Sequence, residues 1–445
     1  MVAARTDKIW VGHLLRRAGF GATPEELDRY QSLGYEGTLD ELLNPEKVNN
    51  RKLEALIEQQ DFDFTRIEDL KRWWLYRMCF TGRPLEEKMT LFWHGHFATG
   101  FKKVKHPYAM YTQNLLFRDY AVGNFKDLLM AVSQDPAMII WLDNQQNRRG
   151  SPNENYAREV MELFSIGIGN YTENDIKEAA RAFTGWQTNP AGFIFNRRQH
   201  DNGEKTFLGR TGNFGGEDIV EILASQPATG RFLARKLIRF FALDDPDDAM
   251  VRAVADQYLS SPYKIRPMLR AIFSHPDFFS DRAYHARIKS PAELVVGTVK
   301  TLQIRHLDGD LPTLMARMGQ NLFDPPNVKG WDGGPAWIST DTMMERFNFA
   351  ARVTGQKFDE IEGYFSPSEL AAKEGLKNAR ELVSYFLELL VDGDVPQSTR
   401  KRLIAYVSSD LSGQPATAIP DDSVLDAKLR GLVRLIMTLP TYQLA

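Results

Sequence analysis

Cysteine is almost absent from this chain, which has only Cys79 among its 445 residues. A single thiol excludes a disulfide within the chain, and it excludes a zinc site built from a cysteine cluster. Such poverty in cysteine suits a reducing compartment. A chain of this length buries an ample hydrophobic core, so the fold is not expected to need a covalent or metal crosslink.

Long hydrophobic runs are also missing. No stretch reaches roughly 18 apolar residues, the length that a membrane-spanning helix needs, so no membrane span is predicted. The N-terminal sequence MVAARTDKIWVGHLLRRAGFG lacks the apolar run of an export signal, and the sequence as given therefore predicts a cytoplasmic protein. A basic excess is absent too, because the formal net charge is −3, and this argues against a nucleic-acid partner.

Helical periodicity is present along most of the chain. Thr23, Pro24 and Glu26 form a capping box that predicts one helix start. One segment has strand periodicity instead: Phe193 and Phe195 alternate with polar residues, and an Asp-Asn-Gly turn at 201–203 follows them. The predicted fold is mainly α, a multi-helical, bundle-like array with one inserted β-hairpin at about residues 192–209.

The domain organisation predicted from this pattern is one integrated helical unit over residues 1–445. The alternative is a motif-bearing core at 1–354 followed by a separable helical part at 355–445. The sequence SSDLSGQPATAIPDDS, residues 408–423, is interpreted as an exposed loop between the last two helices.

The stretch SPNENYAREVMELF, residues 151–164, is the first candidate for a site. Ser151, Pro152 and Glu154 predict a capped helix start. Glu159 and Glu162 fall on its polar face, and as buried carboxylates they would act as general acid and base. The alternative is an ordinary solvated face in which Arg158 pairs with Glu162 four residues on.

A polar loop, WLDNQQNRRGSPN, immediately precedes this predicted helix. Loops of this kind on rigid helices often bind ligands, and here the candidate substrate-binding residues are Asp143, Asn144, Asn147, Asn153 and, on the helix itself, Arg158.

His94 and His96 in FWHGHF are the second candidate. Two residues apart on a helix, they would point about 200° apart, but beyond a helix end at Gly95 they could converge. They are predicted to assist Glu159 or Glu162 in catalysis. A metal site completed by one of these glutamates is an alternative, and a helix cap plus a core histidine is another.

The loop FDPPNVKGWDGGPAW contributes Asp324, Asn327, Lys329 and Trp331, which are assigned to substrate binding. Tryptophans lie in or beside several of these stretches, and indoles beside polar groups suit a polyhydroxylated ligand, although large aromatics also fill helical cores. We predict that this loop, the two histidines, the polar loop and the glutamate-bearing helix face meet around one cleft.

Several long stretches together resemble a known bacterial family. They are HLLRRAGFGATPEEL, KMTLFWHGHFATG, LDNQQNRRGSPNENYAREVMELFSIGIGNYTENDIKEAARAFTGW, HDNGEKTFLGRTGNF and FDPPNVKGWDGGPAWIST. In this order they resemble the family catalogued as domain of unknown function 1800, nearly over the full chain. The resemblance implies no activity or cofactor. It does imply that relatives are often exported and often encoded beside a partner from another uncharacterised family.

Three functions are consistent with these residues. The first is a hydrolytic enzyme that acts on a carbohydrate-like or other polar substrate at a Trp-, Glu- and His-lined cleft. The second is a binding or assembly protein that works with a partner protein and has no chemistry of its own. The third is a metal-dependent redox protein that uses the same His and Glu residues. The cofactor is unknown, and no residue is assigned as a metal ligand.

Overall fold

The computed structural model of this chain describes residues 7–189, 191–304, 307, 310–355, 365–410, 414 and 422–445. The loop predicted at 408–423 lies mostly outside these described residues. Within them the chain is mainly helical, which confirms the predicted fold class.

The helices in the first half of the chain include the one that begins at Pro24 as predicted, where Thr23 and Glu26 bond to each other's backbone amides. In chain order they are α1 Asp7–Ala18, α2 Pro24–Leu43, α3 Arg51–Glu58, α4 Ile67–Phe80, α5 Pro84–His96, α6 Phe101–Val104, α7 Pro107–Asp119, α8 Phe125–Ser133, α9 Pro136–Trp141, α10 Asn155–Glu159 and α11 Glu173–Ala182. A π-helical segment, Val160–Phe164, directly continues α10.

The second half is helical again beyond a short region of strands. Its helices are α12 Gly216–Ala224, α13 Pro227–Phe241, α14 Asp248–Ser260, α15 Ile265–Phe273, α16 Pro291–Thr301, α17 Leu311–Arg317, α18 Thr340–Val353, α19 Pro367–Lys373, α20 Ala379–Val391, α21 Gln397–Val407 and α22 Asp422–Met437. Short 3-10 turns add Pro45–Lys47, Asn144–Gln146, Arg197–Gln199, Pro276–Phe279, Gly334–Trp337 and Pro440–Gln443.

In the described part of the chain, the strands form two small antiparallel hairpins. Strand β1, Trp186–Asn189, pairs with β2, Gly192–Phe195, and β3, Lys205–Phe207, pairs with β4, Arg210–Gly212. The predicted pairing across residues 201–203 is therefore wrong in detail. Phe193 and Phe195 pair back onto the strand that follows α11, and the Asp201 side chain binds Arg181 and the Gly203 amide instead of closing a hairpin.

The chain folds into two compact units, each built from separated segments. Unit 1 contains residues 1–38, 284–320 and 333–445, and unit 2 contains 39–283 and 321–332. This division does not follow the boundary near residue 355 that the sequence offered as an alternative. That the chain behaves as one integrated unit stays a prediction.

Unit 2 is organised around α5, which packs on α7, and around the mutually packed helices α13, α14 and α15. Aromatic side chains fill the space beside α5: Trp93, Phe97, Phe117 and Phe125 are fully buried and contact one another in series. Large rings suit this position because each removes a large apolar area from water. The last turn of α5, with both candidate histidines, is therefore held in a rigid core.

Unit 1 contains α1, the helices α16–α18 and the C-terminal helices, of which α22 packs on α18, α19, α20 and α21. The backbone at 287–289 runs beside residues 443–445, with the Lys289 amide donating to the Gln443 carbonyl and the Ala445 amide to the Arg287 carbonyl. Within the residues that the structure describes, no helix in either unit is long and apolar enough to cross a membrane.

Candidate functional site

The glutamate-bearing helix begins later than the sequence predicts. Its first residue is Asn155, and Ser151 instead makes an isolated bridge with Arg148. The predicted capping box is wrong because the asparagines take over its role: Asn153 accepts a hydrogen bond from the Asn155 amide, and Asn147 accepts one from the Asn153 amide. This network fixes the backbone that leads into α10.

After one α-helical turn the helix widens into the π-helical segment Val160–Phe164. π-Helical segments are rare in proteins, and those that do occur are often found at functional sites. The segment ends where Ser165 leaves helical geometry and its hydroxyl donates to the Val160 carbonyl. Glu159 is the last α-helical residue and Glu162 lies in the middle of the widened turn.

Glu159 and Glu162 are half-buried and close enough to interact electrostatically. Burial, followed by repulsion from Glu162, raises the pKa of Glu159, while Arg158 and Lys329 partly oppose that rise. Glu162 accepts a hydrogen bond from the Tyr171 hydroxyl, at 3.1 Å. The Arg158 guanidinium binds Glu154 and Glu173 rather than Glu162, the partner that the alternative interpretation of the sequence had predicted.

The loop that carries Lys329 and Trp331 packs directly on the end of α5. Gly330 has φ +82°, and a Cβ there would overlap the backbone carbonyl of Gly95, so only glycine permits this approach. The Trp331 ring lies 5.5 Å from the His94 ring, and His94 Nε2 accepts a hydrogen bond from the Phe323 amide. The contact thus brings two of the predicted motifs together.

His96 binds the end of the π-helical segment. Its Nε2 lies 3.0 Å from the Phe164 carbonyl, which can only accept, so Nε2 carries the proton and Nδ1 accepts from Lys236 at 3.1 Å. Lys236 also donates to the Leu163 carbonyl. Two carbonyls that the helix end leaves without intrahelical donors are thereby satisfied by side chains.

The two histidines occupy different surroundings, as expected for residues two apart on a helix. His94 contacts Trp74, Phe323 and Trp331, whereas His96 faces the π-helical segment. Burial lowers the pKa of His94 to about 3, and burial with repulsion from Lys236 lowers the pKa of His96 well below its usual range. Across the described part of the chain, no group of three or more His, Cys, Asp or Glu side chains is placed to hold a metal ion.

A groove of about 650 Å³ opens beside the π-helical segment, between it, α13 and α14. Glu162 and Lys329 line it, and so does Lys236, whose pKa burial lowers to about 8. The remaining charged lining residues are Arg231, Arg235, Asp248 and Arg252. Trp331 and His94 are not among the residues that line this groove, so a tryptophan-lined cleft stays a prediction.

With this geometry established, the chain can be compared with known proteins. The family model described as "Protein of unknown function (DUF1800)" matches residues 13–444. The chain belongs to the DUF1800 family. No curated protein and no solved structure matches it.

The polar loop of this DUF1800 protein lines a different cavity, of about 680 Å³, which includes Asn153. Among the described residues this cavity and the groove share no lining side chain. Asn144 and Asn147 are buried, where they donate to the carbonyls of Trp186 and Ala180, and Asp143 pairs with Lys103. These three residues therefore hold the loop in place.

Two of the predicted substrate-binding residues in the 321–332 loop accept hydrogen bonds from backbone amides. Asp324 accepts from the Lys102 amide at the start of α6, and Asn327 accepts from the Lys329 amide in a tight turn. Both contacts position the loop, and the Asn327 turn directly orients the backbone of Lys329, which reaches the groove.

The sequence interpretation missed Lys236 and the arginines of α13 and α14. Single basic residues on surface helices carry no motif, so Arg231, Arg235 and Arg252 gave no signal. Lys236 belongs to no motif either, and only the structure shows that its ammonium is largely buried and lies 5.0 Å from the Phe232 ring. A lysine at such a position requires polar partners, and His96 supplies one.

Proposed function

We propose that the groove binds an anionic, partly apolar substrate, and that Glu159 and Glu162 hydrolyse it as an acid–base pair. The observation that carries this proposal is the position of a carboxylate pair, Glu162 within the lining and Glu159 beside it, at a groove in which cations outnumber carboxylates.

The charge balance of the groove favours an anion. Among the described residues that line it, two are acidic and five are cationic by type, namely Arg231, Arg235, Lys236, Arg252 and Lys329. One of the acids, Asp248, is already paired with Arg235. An anionic group entering the groove would therefore meet an excess of positive charge, which attracts and orients it.

Apart from Asn170, the uncharged residues of the wall are apolar or glycine. Leu163, Ile166, Phe232 and Val251 line the groove between the charged side chains. A substrate that combines a carboxylate with an aliphatic or sugar body would satisfy both kinds of surface.

The two glutamates divide the chemistry by their surroundings. Glu159 has a raised pKa and so retains a proton to higher pH, which fits it to protonate the leaving group as a general acid. Glu162, oriented by the Tyr171 hydroxyl, fits the role of the base that removes a proton from the attacking water. His96 and Lys236 position the helix end that carries Glu162, and neither needs to contact the substrate.

Matched chromogenic substrates test this proposal: 4-nitrophenyl glucuronide and 4-nitrophenyl hemisuccinate, each beside its uncharged counterpart, the glucoside and the acetate. We expect hydrolysis of an anionic member, with about 10²-fold or greater loss in Glu162→Gln and Glu159→Gln. Glu173→Gln is the matched control, because that carboxylate is exposed and also lies close to the site, where it binds Arg158. Equal turnover of charged and uncharged substrates, or unchanged turnover in both glutamine variants, would contradict the proposal.

A binding role without catalysis is the second candidate, favoured by one observation. Ile168 lines the groove with 76% of its surface exposed, between Gly167 and Gly169, which both have positive φ. Ile168 adjoins the apolar lining of the groove, and contiguous exposed apolar surface of this kind marks interaction sites. If this role is the correct one, Ile168→Asp should abolish association with the bound molecule, while Glu162→Gln leaves that association unchanged.

A further inference from the structure

Unit 1 contains a cavity that none of the sequence motifs indicated. It has a volume of about 430 Å³ and lies between α1, α16 and the end of α20. Part of its wall is apolar, formed by Ile9, Leu15, Phe20 and Leu389. Charged residues line much of the rest: Lys8, Arg16, Lys289, Glu293, Glu388, Asp392 and Arg400. A cavity of this size accommodates a small organic molecule but not a polymer.

Lys289 is held firmly at this cavity. Its backbone lies in the ladder with residues 443–445, and Arg346 donates to its carbonyl. Its Nζ donates to the Tyr442 carbonyl at 2.8 Å and lies 4.2 Å from the centre of the Tyr442 ring. The Tyr442 hydroxyl is hydrogen-bonded to Thr298, which fixes the ring beneath the amine.

Charged side chains from several elements act on the Lys289 amine. Arg16 on α1 and Arg346 on α18 repel a protonated amine, whereas Glu293 on α16 and Asp392 after α20 attract one. Both carboxylates also bind arginines, Glu293 with Arg287 and Asp392 with Arg16. Burial, with the arginines, lowers the pKa of Lys289 to about 7, so a large share of the amine is uncharged at neutral pH.

We propose that Lys289 is the reactive amine of a second ligand site, which binds a small aldehyde or ketone as an imine. The assignment rests on the position of Lys289 in the wall of a partly apolar cavity, with its amine held at Tyr442, another residue of that wall. Its backbone is fixed, and the neighbouring carboxylates bind arginines. Desolvated lysines beside other cations are the kind that form Schiff bases. This site is independent of the groove in unit 2 and of the function proposed there.

The step is balanced without a further reactant. The Nζ lone pair attacks the carbonyl carbon and forms the C–N bond, while the C=O pair moves to oxygen. Both amine protons leave with that oxygen as water, and the C=N bond forms.

Reductive trapping tests the proposal on the full chain. The protein is treated with propanal and sodium cyanoborohydride at pH 7.5, digested, and the adduct on each lysine is quantified by mass spectrometry. We expect Lys289 to be modified about tenfold faster or more than other lysines of unit 1, since nucleophilic attack requires the uncharged amine. Lys300 and Lys428 are the internal controls, because both are buried and hydrogen-bonded, to Glu26 and Ser409 respectively.

Two further measurements keep the outcome decisive. Lys289→Arg retains the cation and should lose the adduct. If this variant does not fold, the proposal is judged from the adduct measured on each lysine of the unaltered chain. Propanoate, which cannot form an imine, should neither raise the melting temperature nor block the labelling. Labelling of Lys289 no faster than Lys300 would overturn the proposal, and so would thermal stabilisation by propanoate without a propanal adduct, which would indicate a simple anion site.

Discussion

Glu87 and Glu159 are carboxylates of the same unit in opposite surroundings. Glu87 is fully buried and accepts hydrogen bonds from Arg77, Arg118 and the Trp74 indole. Burial alone would raise its pKa, but attraction from the two arginines outweighs burial and lowers it. Glu159 is only half-buried, yet its pKa is raised. Burial and repulsion from the Glu162 carboxylate raise this pKa by more than Arg158 and Lys329 lower it.

The difference separates a structural carboxylate from one suited to chemistry. A buried charge whose partners are all present contributes to a unique packed core and has no proton to exchange near neutral pH. A half-buried carboxylate beside a second one, next to an open groove, is poised to exchange a proton with a ligand. Substitutions that alter one site and spare the other test this distinction.

The largest effect is expected at the structural site. Glu87→Gln leaves Arg118 buried without its carboxylate, which should lower the free energy of unfolding by about 3–5 kcal/mol. Urea denaturation monitored by tryptophan fluorescence measures the change. The control is Glu54→Gln, whose carboxylate also binds Arg77 but is half exposed, and which should cost less than about 1 kcal/mol. Equal losses in the two variants would contradict the distinction.

The next largest effect is expected in the loop that carries Lys329 to the neighbourhood of Glu159. Gly330→Ala should displace the loop from α5 and withdraw Lys329 from Glu159, because the new methyl group overlaps the Gly95 carbonyl. Gly150→Ala is the matched control, with φ +80° and open space around the site of its Cβ. We expect Gly330→Ala to be less stable than Gly150→Ala by about 1–3 kcal/mol in thermal or urea unfolding. Similar stabilities would show that the loop does not depend on this contact.

The smallest effect is a change in pH dependence. Because the folded pKa of Glu159 is raised, its contribution to stability falls as pH rises from about 4.3 to that folded value. Glu159→Gln should therefore show a shallower fall than the unaltered chain over this range. For Glu87 the sign is opposite: its lowered pKa gives stability that is lost as pH falls below about 4.3. Melting temperatures between pH 3 and pH 7 check both signs, and parallel curves for Glu159→Gln and the unaltered chain would refute the first.

Much of the fold could be predicted from the sequence, since helix periodicity and capping are local properties. The capping box predicted at Thr23 is present at the start of α2. The predictions were wrong where the local structure is determined by residues further away in the sequence. The start of α10 depends on Asn147, eight residues earlier, and the strand partner of Phe193 lies in the sequence just after α11.

The candidate site was partly predictable for the same reason. His94 and Trp331 belong to conspicuous motifs, and the structure places their rings together. Lys236 belongs to none, because its role depends on the tertiary approach of α13 to the π-helical segment. Asn144 and Asn147 drew attention as polar loop residues, but their amides satisfy buried carbonyls, a requirement that becomes visible only when the chain is folded.

The π-helical segment limits which mutations this site can tolerate in evolution. Its hydrogen bonds span one residue more than those of an α-helix, so the geometry depends on how many residues the turn contains. Deleting one residue between Val160 and Phe164 would restore α-helical spacing and rotate the following carbonyls by about 100°. They would then turn away from His96 and Lys236. Insertions and deletions, rather than substitutions, are thus the mutational events to which this turn is most sensitive.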